Sequence, residues 1–171
     1  MTPGAEAPAE GAAAFDYLIG SWWVRHRLWS ERTARWLRLE GPYRMAPILD
    51  GSANLDHAEI ADLPPYPFIG SSIRVYDPEQ HVWAIGWIDN LSHAFGSIVS
   101  GPMTGGRGEF HGTRPGPAGT RLVRFRWRFL PPDRARWIQG VSDDDGATWR
   151  ATWAMSFRRE PDDAQGRTRS S

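Results

Sequence analysis

Residues 121–130, RLVRFRWRFL, alternate without a break: Val123, Phe125, Trp127 and Phe129 lie on one side of an extended chain, Arg124, Arg126 and Arg128 on the other. Successive strand side chains point to opposite faces, so this run is a β-strand with one buried and one wet face. The arginines are the wet side, not a stripe for polyanions. The same period returns elsewhere. SWWVRHRLW (21–29) sets Trp22, Val24, His26 and Leu28 against Trp23, Arg25, Arg27 and Trp29. TWRATWAMSFRR (148–159) sets Trp149, Ala151, Trp153, Met155 and Phe157 against Arg150, Thr152, Ser156 and Arg158. Between such runs stand turn formers: Asp77-Pro78, SDDDGATW (142–149), FLPPDRARW (129–137) and RPGPAGTR (114–121).

Carried along the chain, the pattern predicts about ten short antiparallel strands. Helix signals reduce to AAAFDYLIG (12–20), stopped by Gly20. The fold class is therefore all-β. An up-and-down β-barrel of about 8–10 strands with a short N-terminal helix suits it best, because closure removes sheet edges and encloses the aromatic faces. A sandwich is the alternative, and periodicity alone does not separate the two. Residues 14–160 read as one barrel domain. Residues 1–13 and 161–171 are small and polar, and read as disordered tails.

Composition narrows the function. Twenty basic residues balance twenty acidic ones, which argues against a nucleic-acid partner. No cysteine is present among the 171 residues, so thiol chemistry, disulfides and Cys-ligated zinc are excluded. No apolar run approaches the ~20 residues of a membrane span, and the opening residues lack the pattern of a secretory signal. A cytoplasmic location and no membrane partner are the expectations. Ten tryptophans stand out, a residue type that packs cores and stacks on flat molecules.

FDYLIGSWWVRHRLW (15–29), LDGSANLDHAEI (49–60), SIRVYDPEQHVWAIGWID (72–89) and the block from Arg124 to Arg159 resemble, in that order, a bacterial family of lipocalin-like proteins in the calycin superfamily. The resemblance implies an antiparallel calycin-like barrel with a short helix near its start. It assigns no activity, since that fold hosts carriers, haem proteins and enzymes. Haem-binding relatives carry alternate glycines in the early Trp segment and a late histidine. Here the early segment is IGSWWVRH and the last histidine is His111, so haem is not expected.

Several residues carry candidate chemistry. His26 falls on the Trp22/Val24/Leu28 face and is either a core histidine bonded to its surroundings or a general base. HVWAIGWIDN (81–90) lines up Trp83, Ile85 and Trp87 and ends that face in Asp89, which either starts the next turn or works at a barrel rim. His93 shares a face with Phe95, Ser97 and Val99 and would be a second rim group. Asn54 and Asp56 alternate with Ala53, Leu55 and His57. Outward is favoured by the cost of burying an acid; inward, Asp56 would orient His26. Gln139 stands among Trp137 and Val141 as an amide facing a ligand or a neighbouring strand. Arg74 and Tyr76 alternate with Ile73 and Val75, and an outward arginine is expected.

No histidine pair has zinc-enzyme spacing, no calcium loop exists, and GPMTGGRGEFHG (101–112) does not lead from a strand into a helix as phosphate loops do. No metal or cofactor is expected. The leading reading is a barrel holding a small, flat, lipophilic molecule against Trp22, Trp83, Trp87, Trp127, Trp137, Trp149 and Trp153, with Asn54, Asp56 and Gln139 as polar contacts. Chemistry would be cofactor-free cyclisation, isomerisation or dehydration by His26, Asp89 and His93. A non-catalytic carrier is the alternative, and a barrel plugged throughout by its own aromatics is a third. A homodimer is left open.

Overall fold

The computed structural model describes residues 9–63, 67–116 and 119–161. Eleven antiparallel strands follow one another: β1 Gly20–Ser30, β2 Arg35–Ile48, β3 Ala53–Ile60, β4 Phe68–Asp77, β5 Val82–Asp89, β6 Phe95–Gly101, β7 Met103–Thr104, β8 Arg107–Gly116, β9 Gly119–Leu130, β10 Arg134–Ser142 and β11 Arg150–Arg159. Each pairs with its neighbour, except that β7 is a two-residue continuation of β6 beyond Pro102, and β8 pairs with both. Leaving β7 aside, ten strands form the wall. The protein is thus a closed, up-and-down, all-β barrel.

Two seams close it. β1 pairs with β11, running from Trp22↔Arg159 to Leu28↔Trp153. β6 meets β8 at Val99↔Gly112 and Ser100↔His111. The second seam depends on a missing side chain: a Cβ on Gly112 would strike the Ile98 carbonyl oxygen.

The interior is layered by register. One row runs His26–Met155–Trp137–Trp127 across β1, β11, β10 and β9. The row beside it runs Leu28–Trp153–Gln139–Phe125. Along β11 the alternation does not persist. The register with β10 passes from Gln139↔Trp153 to Gly140↔Ala151, leaving Thr152 as an extra residue, a β-bulge. A one-residue slip moves every later side chain to the other face. Trp149 therefore does not face the lumen, as strict alternation would have it. It packs outside, 4.2 Å from the Arg124 guanidinium.

At one end the barrel is plugged by the segment before β1. The expected helix there is two 3-10 turns, Gly11–Ala13 and Asp16–Leu18. The expected disordered tail 1–13 is thus corrected from residue 9 onward: Gly11 lies in the first turn and its carbonyl accepts the Trp83 indole N–H. Residues 1–8 and 162–171 lie outside the described residues. Phe15 and Leu18 point into the barrel and are fully buried. Phe15 meets Trp83, Phe110, Trp127 and Phe129, with centroids 5.1–6.0 Å apart. Three of these contacts are edge-on, and such pairs add roughly 0.5–1.5 kcal/mol each beyond area burial. No helix among the described residues is long and apolar enough to cross a membrane.

Candidate functional site

Above the plug lies a cavity of about 550 Å³, open at the end where β5 turns into β6. That volume is in the range of small-molecule sites, roughly 300–1,000 Å³. The wall is aromatic. Phe68 stacks on Trp87 at 6.0 Å, Trp87 meets Trp153 edge-on at 5.7 Å, and Trp153 meets Trp137 edge-on at 5.6 Å. Trp87 lies across Gly70, where any Cβ would collide with its ring, so β4 carries a glycine to seat the indole. At the mouth stand Leu91 and Phe95, the latter 72% exposed.

Polar groups enter this wall in a cluster. Asp56 on β3 is buried and takes the Arg74 guanidinium at 2.6 Å, the Tyr43 hydroxyl at 2.8 Å and the Ser72 backbone N–H at 2.7 Å. Arg74, only 2% exposed, also donates to Asn54 Oδ1 at 3.4 Å, and its guanidinium carbon lies 5.3 Å from the Phe15 ring and 5.5 Å from Trp127. Burial opposes the charge on Arg74, but Tyr43 and Asp56 more than offset it, so the guanidinium stays protonated. Burial holds the Tyr43 phenol well above its ordinary value, with Asp56 adding to the effect. Tyr43 is therefore a donor here. Three donors of the fold hold the Asp56 carboxylate, which makes it half of a structural ion pair rather than a free base.

Strands β3 and β4 thus run opposite to expectation. Asn54, Asp56 and Arg74 point inward, while Leu55, Ile73 and Val75 point out, 38–43% exposed. The outward arginine is overturned because Asp56, diagonally across the strand pair from it, supplies the buried countercharge that offsets the cost of inward placement. Nor does Asp56 orient His26.

The remaining candidates separate. Trp127, Trp137, Gln139, Trp153, Trp87, Asp56 and Asp89 line the cavity. Trp22 and Trp83 do not: both are fully buried in the plugged end, with their N–H groups on the carbonyls of Leu18 and Gly11. Asn54 is buried against Arg74, away from the cavity lining. Gln139 both lines the cavity and donates to Thr152 Oγ1 at 2.9 Å, the bulge residue.

His26, Asp89 and His93 do not converge. The His26 ring is 2% exposed and accepts the Trp153 N–H at Nδ1, 3.2 Å away, which leaves its proton on Nε2. Burial lowers its pKa to about 4. Asp89 caps the β5–β6 turn, accepting the backbone N–H groups of Leu91 and Ser92 and the Trp87 indole N–H at 2.9, 2.7 and 2.9 Å. Burial alone would raise its pKa, but these hydrogen bonds prevail and hold it below the usual carboxylate range. His93 sits in that turn with φ 50°, exposed and outside the cavity lining. A left-handed residue reverses the direction the alternation would give it.

Three lining residues carried no usable sequence signal. Tyr43 alternates inward with Gly41 and Met45 in EGPYRMA, but the glycine and proline beside it hide the strand. Ser72 enters through its backbone. Arg114 ends the inward face of β8 next to a Pro/Gly-rich turn. Among the described residues no group of three or more His, Asp or Glu side chains is placed to hold a metal ion. No known family model matches the chain, and a search of curated proteins finds no match.

Proposed function

We propose that this is a calycin-like barrel that binds a small, flat, lipophilic molecule. One observation carries the reading: a cavity of about 550 Å³ survives inside a barrel rich in tryptophan, walled by Phe68, Trp87, Trp137 and Trp153 and open at one end. The plug at the other end consumes Trp22, Trp83 and Phe15 and still leaves that space. Apolar walls with a few fixed polar groups are the usual form of a small-molecule site.

We place binding ahead of acid–base catalysis. His26 Nδ1 already accepts the Trp153 N–H, and Asp56 and Asp89 each hold three donors of the fold, so the three groups serve structural contacts and do not converge on one reacting atom. The sequential antiparallel meander supports the calycin likeness.

The test is indole quenching by flat lipophiles such as pyrene derivatives, with Ser72→Phe as the blocked control. Ser72 is buried on the cavity lining and its contact to Asp56 is made by the backbone, so the substitution fills space and leaves that bond in place. Saturable quenching in the wild type that disappears in a folded Ser72→Phe supports the cavity as the site. Equal quenching in both proteins overturns it.

A further inference from the structure

The inward faces of β8 and β9 run together toward the mouth: Phe110 opposite Phe125, Gly112 opposite Val123, and finally Arg114 opposite Arg121. Two aromatic stripes thus end in cations directly across from one another. Like charges facing across a strand pair are destabilising, so each needs an anion nearby. Arg121 has one: Asp143 accepts from Nε and from the terminal nitrogen, both at 2.7 Å. Arg150, a further cation in the vicinity, pairs with Glu31 at 3.2 Å. Arg114 lines the cavity and, among the described residues, has neither a hydrogen bond nor a carboxylate within ion-pair distance. Partial burial and the neighbouring charges of Arg121 and Arg150 lower its pKa, so the fold works against this cation rather than for it.

Asp89 is the other charged group on the lining at this end, two strands away on β5. The two are not equivalent. The Asp89 oxygens already hold three N–H donors, from its own turn and Trp87, whereas the Arg114 fork has no partner among the described residues. Asp89 disfavours an anion on its own side of the mouth. The rim is therefore polarised, with its open valence on the β8 side.

We infer that the ligand is a lipophilic carboxylic acid, its flat or acyl body among Trp87, Trp137 and Trp153 and its carboxylate at the mouth on the Arg114 guanidinium. The inference rests on the cavity reading above and adds the head group and the direction of insertion. A planar guanidinium matches a carboxylate with two parallel hydrogen bonds. Other oxyanionic head groups share that chemistry; a neutral or cationic head does not.

The experiment compares pyrene butyrate with its methyl ester, titrated into the full chain and read by energy transfer from the indoles to pyrene. A hydrogen bond to a charged group contributes about 1.5–3 kcal/mol, which is roughly a tenfold to hundredfold preference for the acid. Arg114→Gln is expected to remove that preference while the ester binds within about twofold of wild type. Arg114→Lys is expected to keep part of it, as a charge without the fork. The melting temperature of ligand-free Arg114→Gln should equal or exceed that of wild type, which separates lost recognition from lost folding. Ester and acid bound alike by the wild type, or an acid preference that survives Arg114→Gln, would overturn the head-group assignment and leave the cavity standing. Failure of both ligands to bind overturns the cavity reading and this inference together.

Discussion

The two ends of the barrel use the same residue type for opposite purposes, and the indole N–H tells them apart. At the plugged end Trp22 and Trp83 donate to backbone carbonyls of the N-terminal segment, Leu18 and Gly11. At the open end Trp87 and Trp153 donate to side chains, Asp89 and His26. A main-chain acceptor is fixed by the fold and does not titrate. A side-chain acceptor responds to protonation and to whatever occupies the space beside it. Tryptophan is mortar in one place and a wall in the other.

The contrast can be broken most directly at the boundary between the ends, where Arg74 lies near both Phe15 and Trp127. Arg74→Met strands Asp56 as a buried charge, and unfolding in urea should show a loss of about 3–5 kcal/mol. Adding Asp56→Leu to it should restore much of that loss, since replacing a whole buried pair is far cheaper than halving it. A loss under about 1 kcal/mol would mean that the pair is not buried as described.

Next in size is the plug. Phe15→Ala should cost roughly 3 kcal/mol or more by opening a hole among Trp83, Phe110, Trp127 and Phe129. It should also extend the cavity downward, so longer lipophiles would gain affinity even as stability falls. If stability is unchanged, the N-terminal segment is not the floor.

The open end should be the pH-sensitive one. His26 is neutral in the fold with its pKa lowered to about 4, against an ordinary value near 6.5. The unfolded chain binds this proton first, so stability is full above about pH 6.5 and is lost as pH falls toward 4. The loss from this group amounts to about 2–3 kcal/mol, seen as the difference between the wild-type and His26→Gln stability profiles. Parallel profiles would remove His26 from the account.

The smallest effect belongs to the rim. Asp89→Ala loosens a turn cap and should cost about 1 kcal/mol, the usual scale for such caps. It should leave the plug untouched while freeing the Trp87 ring, visible as a red shift of indole emission.

Much of this architecture was legible in the sequence, and the failures have physical causes. β9 alternates strictly because one face is packed and the other wet, and that implied an all-β fold with an enclosed aromatic face, without separating barrel from sandwich. β11 looked identical, but an unforeseeable bulge at Thr152 turned Trp149 outward. Pairing partners decide bulges, and one strand read alone does not reveal them. β3 and β4 inverted the usual rule, with acids and arginine inside and Leu55, Ile73 and Val75 outside. Each strand alone argued for the opposite face; only their juxtaposition supplies the neutral Asp56–Arg74 pair. Asp89 at the end of the Trp83/Ile85/Trp87 face was readable as a mouth residue. Arg114, without a partner among the described residues, was not, because that is a property of three-dimensional neighbours.

The β1–β11 seam has a consequence for how the molecule is made. Trp22 pairs with Arg159, and the Glu160 N–H bonds the Ser21 carbonyl, so the barrel's first and last strands are each other's neighbours. Loop closure across nearly the whole chain must precede those contacts, and such non-local pairing is slow. During synthesis each strand can pair with the one before it, but the outer edge of β1 must wait for β11. Until then two unpaired edges and an aromatic interior face water together, the condition under which nascent sheets stick to one another. A chain released before residue 150 would therefore be an aggregation nucleus rather than a smaller barrel.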